Sequence, residues 1–117
     1  MTRDVQAVFA DIDAQDLNKF VAHLTEDVVF RFANAEPVIG RTAVAEAVRG
    51  FFGTIDGLSH QLLGSWDAGD VKVVQADVTY RRKDGTSVTV PNADILTYDG
   101  DLVSRWQIYI DLAPVYA

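Results

Sequence analysis

The side chains best suited to chemistry in this chain fall within a run of alternating residues: His60, Asp77, Asn92, Asp94, Arg105, Gln107, Tyr109 and Asp111. A carboxylate beside an imidazole can orient the ring and hold it in one tautomer. A carboxylate enclosed by apolar walls has its charged form disfavoured, so it can give and take protons near neutral pH. Amide and phenol groups can donate hydrogen bonds to a developing enolate oxygen. In this scheme Asp111 is the acid/base, His60 and Asp77 form a supporting pair, and Asn92, Gln107 and Tyr109 are donors. The set suits proton abstraction next to a carbonyl, as in isomerisation or intramolecular aldol closure, and it requires no metal or organic cofactor. Metal binding is the weaker reading, because one histidine with one or two carboxylates is incomplete and His23 lies apart on a predicted helix. There is no Gly-rich phosphate loop, Ser-His-Asp order or nucleophile elbow.

Those residues need a scaffold. The 117 residues, 49 % of them apolar, are enough for one domain (1–117) with a single core. No apolar run approaches the ~20 residues of a membrane span, and the first residues, MTRDVQAVFADIDA, carry no signal-peptide pattern. Cysteine is absent, which fits a cytoplasmic location. A net charge of −7 opposes nucleic-acid binding. The basic cluster Arg81-Arg82-Lys83 sits beside a predicted turn and reads as a solvated hairpin end.

The first quarter of the chain has helical period. Val5, Val8, Phe9 and Ile12 share a face, with Thr2 as a candidate N-cap, and Leu17, Phe20, Val21 and Leu24 repeat the spacing after a polar break at 13–16. DVVFRFAN (27–34) reads as a strand. A third helix follows over 42–53, with Val44, Val48, Phe51 and Phe52 on its apolar side. From Leu58 the period changes to two. Four strands are separated by Ala68-Gly69, Asp84-Gly85 and Asp99-Gly100, which makes an antiparallel meander after helices and hence an α+β fold.

If each of these dipeptides is a two-residue loop, the registers follow. His60, Asp77, Asn92 and Gln107 then form one row, and Leu62, Gln75, Asp94 and Arg105 the next. Thr79, Val90 and Tyr109 come after, then Arg81, Val88 and Asp111. This face also carries Trp66 and several valines and leucines. The mixture fits an apolar pocket with a few convergent polar groups, roofed by the helices. The competing reading is the ordinary wet side of a sheet. The opposite face, with Val74, Ala76, Val78, Tyr80, Trp106, Ile108 and Ile110, then packs outward on a partner.

The chain resembles the nuclear transport factor 2-like superfamily, and within it the small bacterial SnoaL-like, polyketide cyclase-type proteins. The likeness rests on LTEDVVFRF, GRTAVAEAVRGFF, VPNADILTYDGDLVSRW and YIDLAPVYA. It implies a cone-shaped fold: a curved, mostly antiparallel sheet wraps three helices and encloses a pocket. It also implies a homodimer across the convex sheet face, here through Trp106, Ile108 and Ile110. The pocket acid at the end of the last strand is matched by Asp111, and the cyclases' nearby histidine by His60. Against the related limonene epoxide hydrolases, Asp77 and Thr79 stand where an Arg and an Asp are needed, and Phe30 and Phe32 replace a Tyr and an Asn, so that apparatus is absent. The ketosteroid isomerases' oxyanion-hole Tyr has no counterpart on either N-terminal helix. The resulting expectation is a pocket for a small hydrophobic, carbonyl-containing molecule, lined by Phe30, Phe32, Trp66, Asn92, Asp94, Gln107 and Tyr109, with Asp111, His60 and Asp77 catalytic. The alternative is a non-catalytic ligand-binding or dimeric module of the same fold.

Overall fold

The computed structural model describes residues 4–117. Thr2 lies outside the described residues. The first helix, α1 (Val5–Asp13), is capped by Asp4, whose carboxylate accepts from the Gln6 and Ala7 backbone N–H groups. These are donors that the first turn leaves unpaired. Asp16 does the same for α2 (Leu17–Ala22). Leu24, expected to end that helix, instead opens β1 (Leu24–Phe32). A two-residue strand, β2 (Val38–Ile39), precedes α3 (Arg41–Phe52). The meander follows as β3 (Gly57–Ala68), β4 (Val71–Arg81), β5 (Ser87–Asp99) and β6 (Leu102–Ile110), and a short α4 (Ala113–Tyr116) closes the chain.

The expected α+β architecture is observed. The six strands form one curved, open sheet in the order β2-β1-β6-β5-β4-β3. All neighbours are antiparallel except β1 and β6. The helices sit in its concave side. Val5, Val8 and Phe9 of α1, Phe20 of α2 and Val44 and Val48 of α3 pack on Phe30, Val74, Leu96 and Trp106 of the sheet. A second cluster, at the other end, gathers Ile55, Leu58, Val78, Tyr80 and Val90 around Val115 of α4.

The faces of the meander differ from the expectation, and three local features account for it. Between β4 and β5 the loop is longer than two residues, since Arg81 opposes Ser87 and the Arg82 N–H bonds Thr86 O. In β3, Leu63 is an extra residue between Leu62↔Ala76 and Gly64↔Gln75. In β6, Ser104 is an extra residue between Thr97↔Arg105 and Tyr98↔Val103. Each feature changes the pairing by an odd number of residues, which exchanges the two faces. Trp106 and Ile108 therefore point into the concave side with Asp94, Leu96 and Val74. Trp106 is 1 % exposed. The convex partner face assigned to Trp106, Ile108 and Ile110 is corrected accordingly: the apolar set of β6 goes to the core, where its burial removes most surface from water.

Candidate functional site

The concave side holds a cavity of about 240 Å³ between the helices and the sheet. Its walls are mostly apolar, and eight of the lining residues are Phe, Tyr or Trp. At its centre Trp106 meets Phe9, Phe20 and Phe30, each with ring centroids 5.8 Å away. Phe32 packs edge-on to Phe51 of α3, with centroids 4.9 Å apart. The exposed Ala35 and Glu36, in the β1–β2 connection, mark the rim.

Four polar side chains reach this apolar space: His60 from β3, Tyr80 from β4, and Asn92 and Asp94 from β5. Asp94 is 1 % exposed, and burial pushes its carboxyl up to about 8. Its one side-chain partner among the described residues is Asn92, whose Nδ2 donates to Oδ1 over a long 3.4 Å. Asn92 Oδ1 and Trp106 Nε1 are buried without a hydrogen-bond partner among the described residues. Burial, and then the fields of Asp94, Tyr116 and Asp13, push the Tyr80 hydroxyl above its ordinary range, so it stays a donor.

His60 is held from behind by the end of α1. Asp13 Oδ1 lies 2.6 Å from Nδ1, and Asp13 Oδ2 accepts the His60 backbone N–H at 2.9 Å. A carboxylate only accepts, so Nδ1 carries a proton, and in the neutral ring Nε2 keeps its lone pair. Phe9 packs against the ring at a tilt of 50°, with centroids 4.8 Å apart. Asp77 was expected in the role that Asp13 fills. It pairs with Gln61 and Pro91 on the opposite side of the sheet.

Of the sequence-derived set, the cavity brings together His60, Phe30, Phe32, Asn92 and Asp94. Trp66 and Tyr109 lie on the convex side, 55 % and 56 % exposed. Gln107 donates to Ala33 O there. Asp111 stands past the end of β6, where it accepts the Ala113 N–H and lines an exterior cleft with Arg31, Gln107 and Tyr109. The inward positions expected for Asp111, Asp77, Trp66, Gln107 and Tyr109 are thus corrected by the register. Asp13, Tyr80 and Trp106 were not read as site residues. The Asp13 contact spans 47 residues and leaves no local signal, whereas the apolar alternation Trp106-Ile108-Ile110 was itself the sign of an inward face.

A curved open sheet wrapped on three helices around an interior cavity is the cone-shaped fold of nuclear transport factor 2-like proteins. Residues 5–106 match the SnoaL-like domain, and the chain belongs to that family. No curated protein matches it. Among solved structures, a putative SnoaL-like polyketide cyclase from Jannaschia sp. CCS1 is 22 % identical, covering 96 % of this chain and 85 % of that one, with TM-score 0.86. TerC, crystallised with polyporic acid, is 15 % identical over 96 % and 92 % of the two chains, TM-score 0.86. A hypothetical protein of ketosteroid isomerase-like fold from Catenulispora acidiphila DSM 44928, in complex with trimethylamine, is 21 % identical over 93 % and 85 %, TM-score 0.86. At these identities the likeness is one of fold.

Proposed function

We propose that the cavity binds a small hydrophobic carbonyl compound and that Asp94 and the His60–Asp13 pair move protons on it, without a cofactor, in an isomerase- or cyclase-type reaction. The observation that carries this reading is the buried, proton-retaining Asp94 sharing one apolar cavity with a histidine whose tautomer is fixed from behind. At neutral pH Asp94 is mainly protonated and can donate to a carbonyl oxygen. His60 Nε2 removes a proton from the adjacent carbon, and the electron pair moves to the oxygen, where the Asp94 O–H stabilises it. Tyr80 is a second donor. Return of the proton to another carbon gives an isomer, and attack of the enolate carbon on a second carbonyl closes a ring.

The test is deuterium incorporation next to the carbonyl of cyclic and aromatic ketones in D2O, followed by NMR. Wild type should catalyse exchange, and His60→Gln should lower it by about 10²–10⁴-fold. One observation favours the non-catalytic alternative: His60 and Asp94 stand on strands separated by β4, and no hydrogen bond joins them among the described residues. Ketones that raise the melting temperature yet exchange at the background rate would establish that alternative.

For assembly, the convex groove lined by Trp66, Val73, Pro91, Ala93 and Tyr109 is the surface we assign to a second copy of the chain. The support is its exposed aromatic pair, Trp66 and Tyr109, together with the homodimer that the family resemblance implies.

A further inference from the structure

A carbonyl oxygen answers the cavity's donors, Tyr80 and the orphaned Trp106 Nε1, but it leaves the cavity's acceptors unanswered. Asn92 Oδ1 is a buried acceptor without a donor. Among the described residues Asp94 accepts only the 3.4 Å contact from Asn92. In the neutral ring His60 Nε2 carries a lone pair, because Asp13 holds the proton on Nδ1. Among the described residues no Lys or Arg lines the space, and the two carboxylates that do are Asp94 inside and Glu36 at the rim. Around them are aromatic rings, whose faces attract cations within ~6 Å. The chain's net charge of −7 favours the approach of cations and opposes that of anions.

We propose that the same cavity takes hydrophobic tertiary amines as protonated cations, seated among the rings of Phe9, Phe20, Phe30 and Trp106 with the nitrogen against Asp94 and Asn92. This does not rest on turnover, and it stands or falls apart from the carbonyl chemistry above. The protons balance simply. The unbound ammonium ion brings one proton and the buried carboxyl holds one. The complex keeps one between nitrogen and carboxylate, and the other leaves to solvent. The titratable groups that share the cavity with Asp94 among the described residues are His60 from β3, Tyr80 from β4 and Glu36 at the rim, with Asp13 of α1 next to His60 and Tyr116 of α4 near Tyr80. From α2, α3, β1 and β6 the cavity receives only apolar and aromatic side chains.

The experiment compares three probes of one shape by calorimetry: N,N-dimethylbenzylamine, its carbon isostere isobutylbenzene, and phenylacetate. The amine should bind most tightly and phenylacetate least. In two buffers of different ionisation enthalpy at pH 7, amine binding should release close to one proton. Its affinity should rise about tenfold per pH unit up to pH 8. Asp94→Asn should abolish the release and weaken amine binding on the order of a hundredfold, while His60→Gln should retain the release. Isobutylbenzene binding as tightly as the amine overturns the proposal, as does absence of proton release or its loss in His60→Gln alone. The wild-type comparison of amine and isostere decides the matter even if a variant fails to fold.

Discussion

Replacing Asp94 by Asn isolates the energetic consequence of burying a carboxyl without a cation. The group is 1 % exposed, and its pKa goes from 3.8 to about 8 through loss of hydration alone. A folded state that holds a proton which the unfolded chain has released loses stability as pH rises. The loss is absent below the unfolded pKa, grows through the window between about 4 and 8, and is complete above 8. Each pH unit inside the window is worth about 1.4 kcal/mol. At pH 7 the carboxyl therefore costs the fold on the order of 4 kcal/mol, a large share of a typical domain's stability. Asn keeps the shape, can accept the Asn92 amide and never ionises. Urea unfolding of wild type and Asp94→Asn at pH 5, 6, 7 and 8 separates this effect from any constant offset, because only the carboxyl's contribution varies with pH. The variant's advantage should grow by about 4 kcal/mol from pH 5 to pH 8. A difference that stays flat across that range would refute the account of Asp94 as a buried, proton-retaining acid.

Three further outcomes are expected. In wild type, nitrogen-15 NMR should find the His60 ring proton on Nδ1, and Asp13→Asn should shift the population toward the Nε2–H tautomer. An unchanged spectrum would show that Asp13 does not hold the ring. Trp106→Ala, which removes the central ring of the concave core, should cost about 3–5 kcal/mol in the same unfolding assay; a loss below about 1 kcal/mol would place the indole outside the core. Trp66→Glu should convert a dimer to a monomer in light scattering while leaving the melting temperature of the monomer nearly unchanged, and a wild-type monomer would remove the convex-face assignment.

Much of this protein was settled by local pattern. The spacing of Val5, Val8 and Phe9 and of Val44 and Val48 gives helices with one buried face each. The change to period two after Leu58, with glycines that take positive φ at 69, 85 and 100, gives the four-stranded meander. The family likeness and the enclosure by Phe30 and Phe32 were legible too. Which face of the meander looks inward was not, because it depends on the parity of residues between strands. One longer loop and two extra residues, Leu63 and Ser104, exchanged the faces. Asp94, Asn92 and His60 were named from the sequence, and the register gives them a different set of companions. Asp111, Asp77, Gln107 and Tyr109 went to the outside, while Trp106 and Ile108 went to the core. The His60–Asp13 pair joins the end of the first helix to the third strand. Only the packing of α1 into the concave sheet creates it, since a contact between residues far apart in the chain follows from where whole elements dock, not from the residues beside them. The raised pKa of Asp94 belongs to that level as well: an aspartate has no such property until the helices close over it and remove its water.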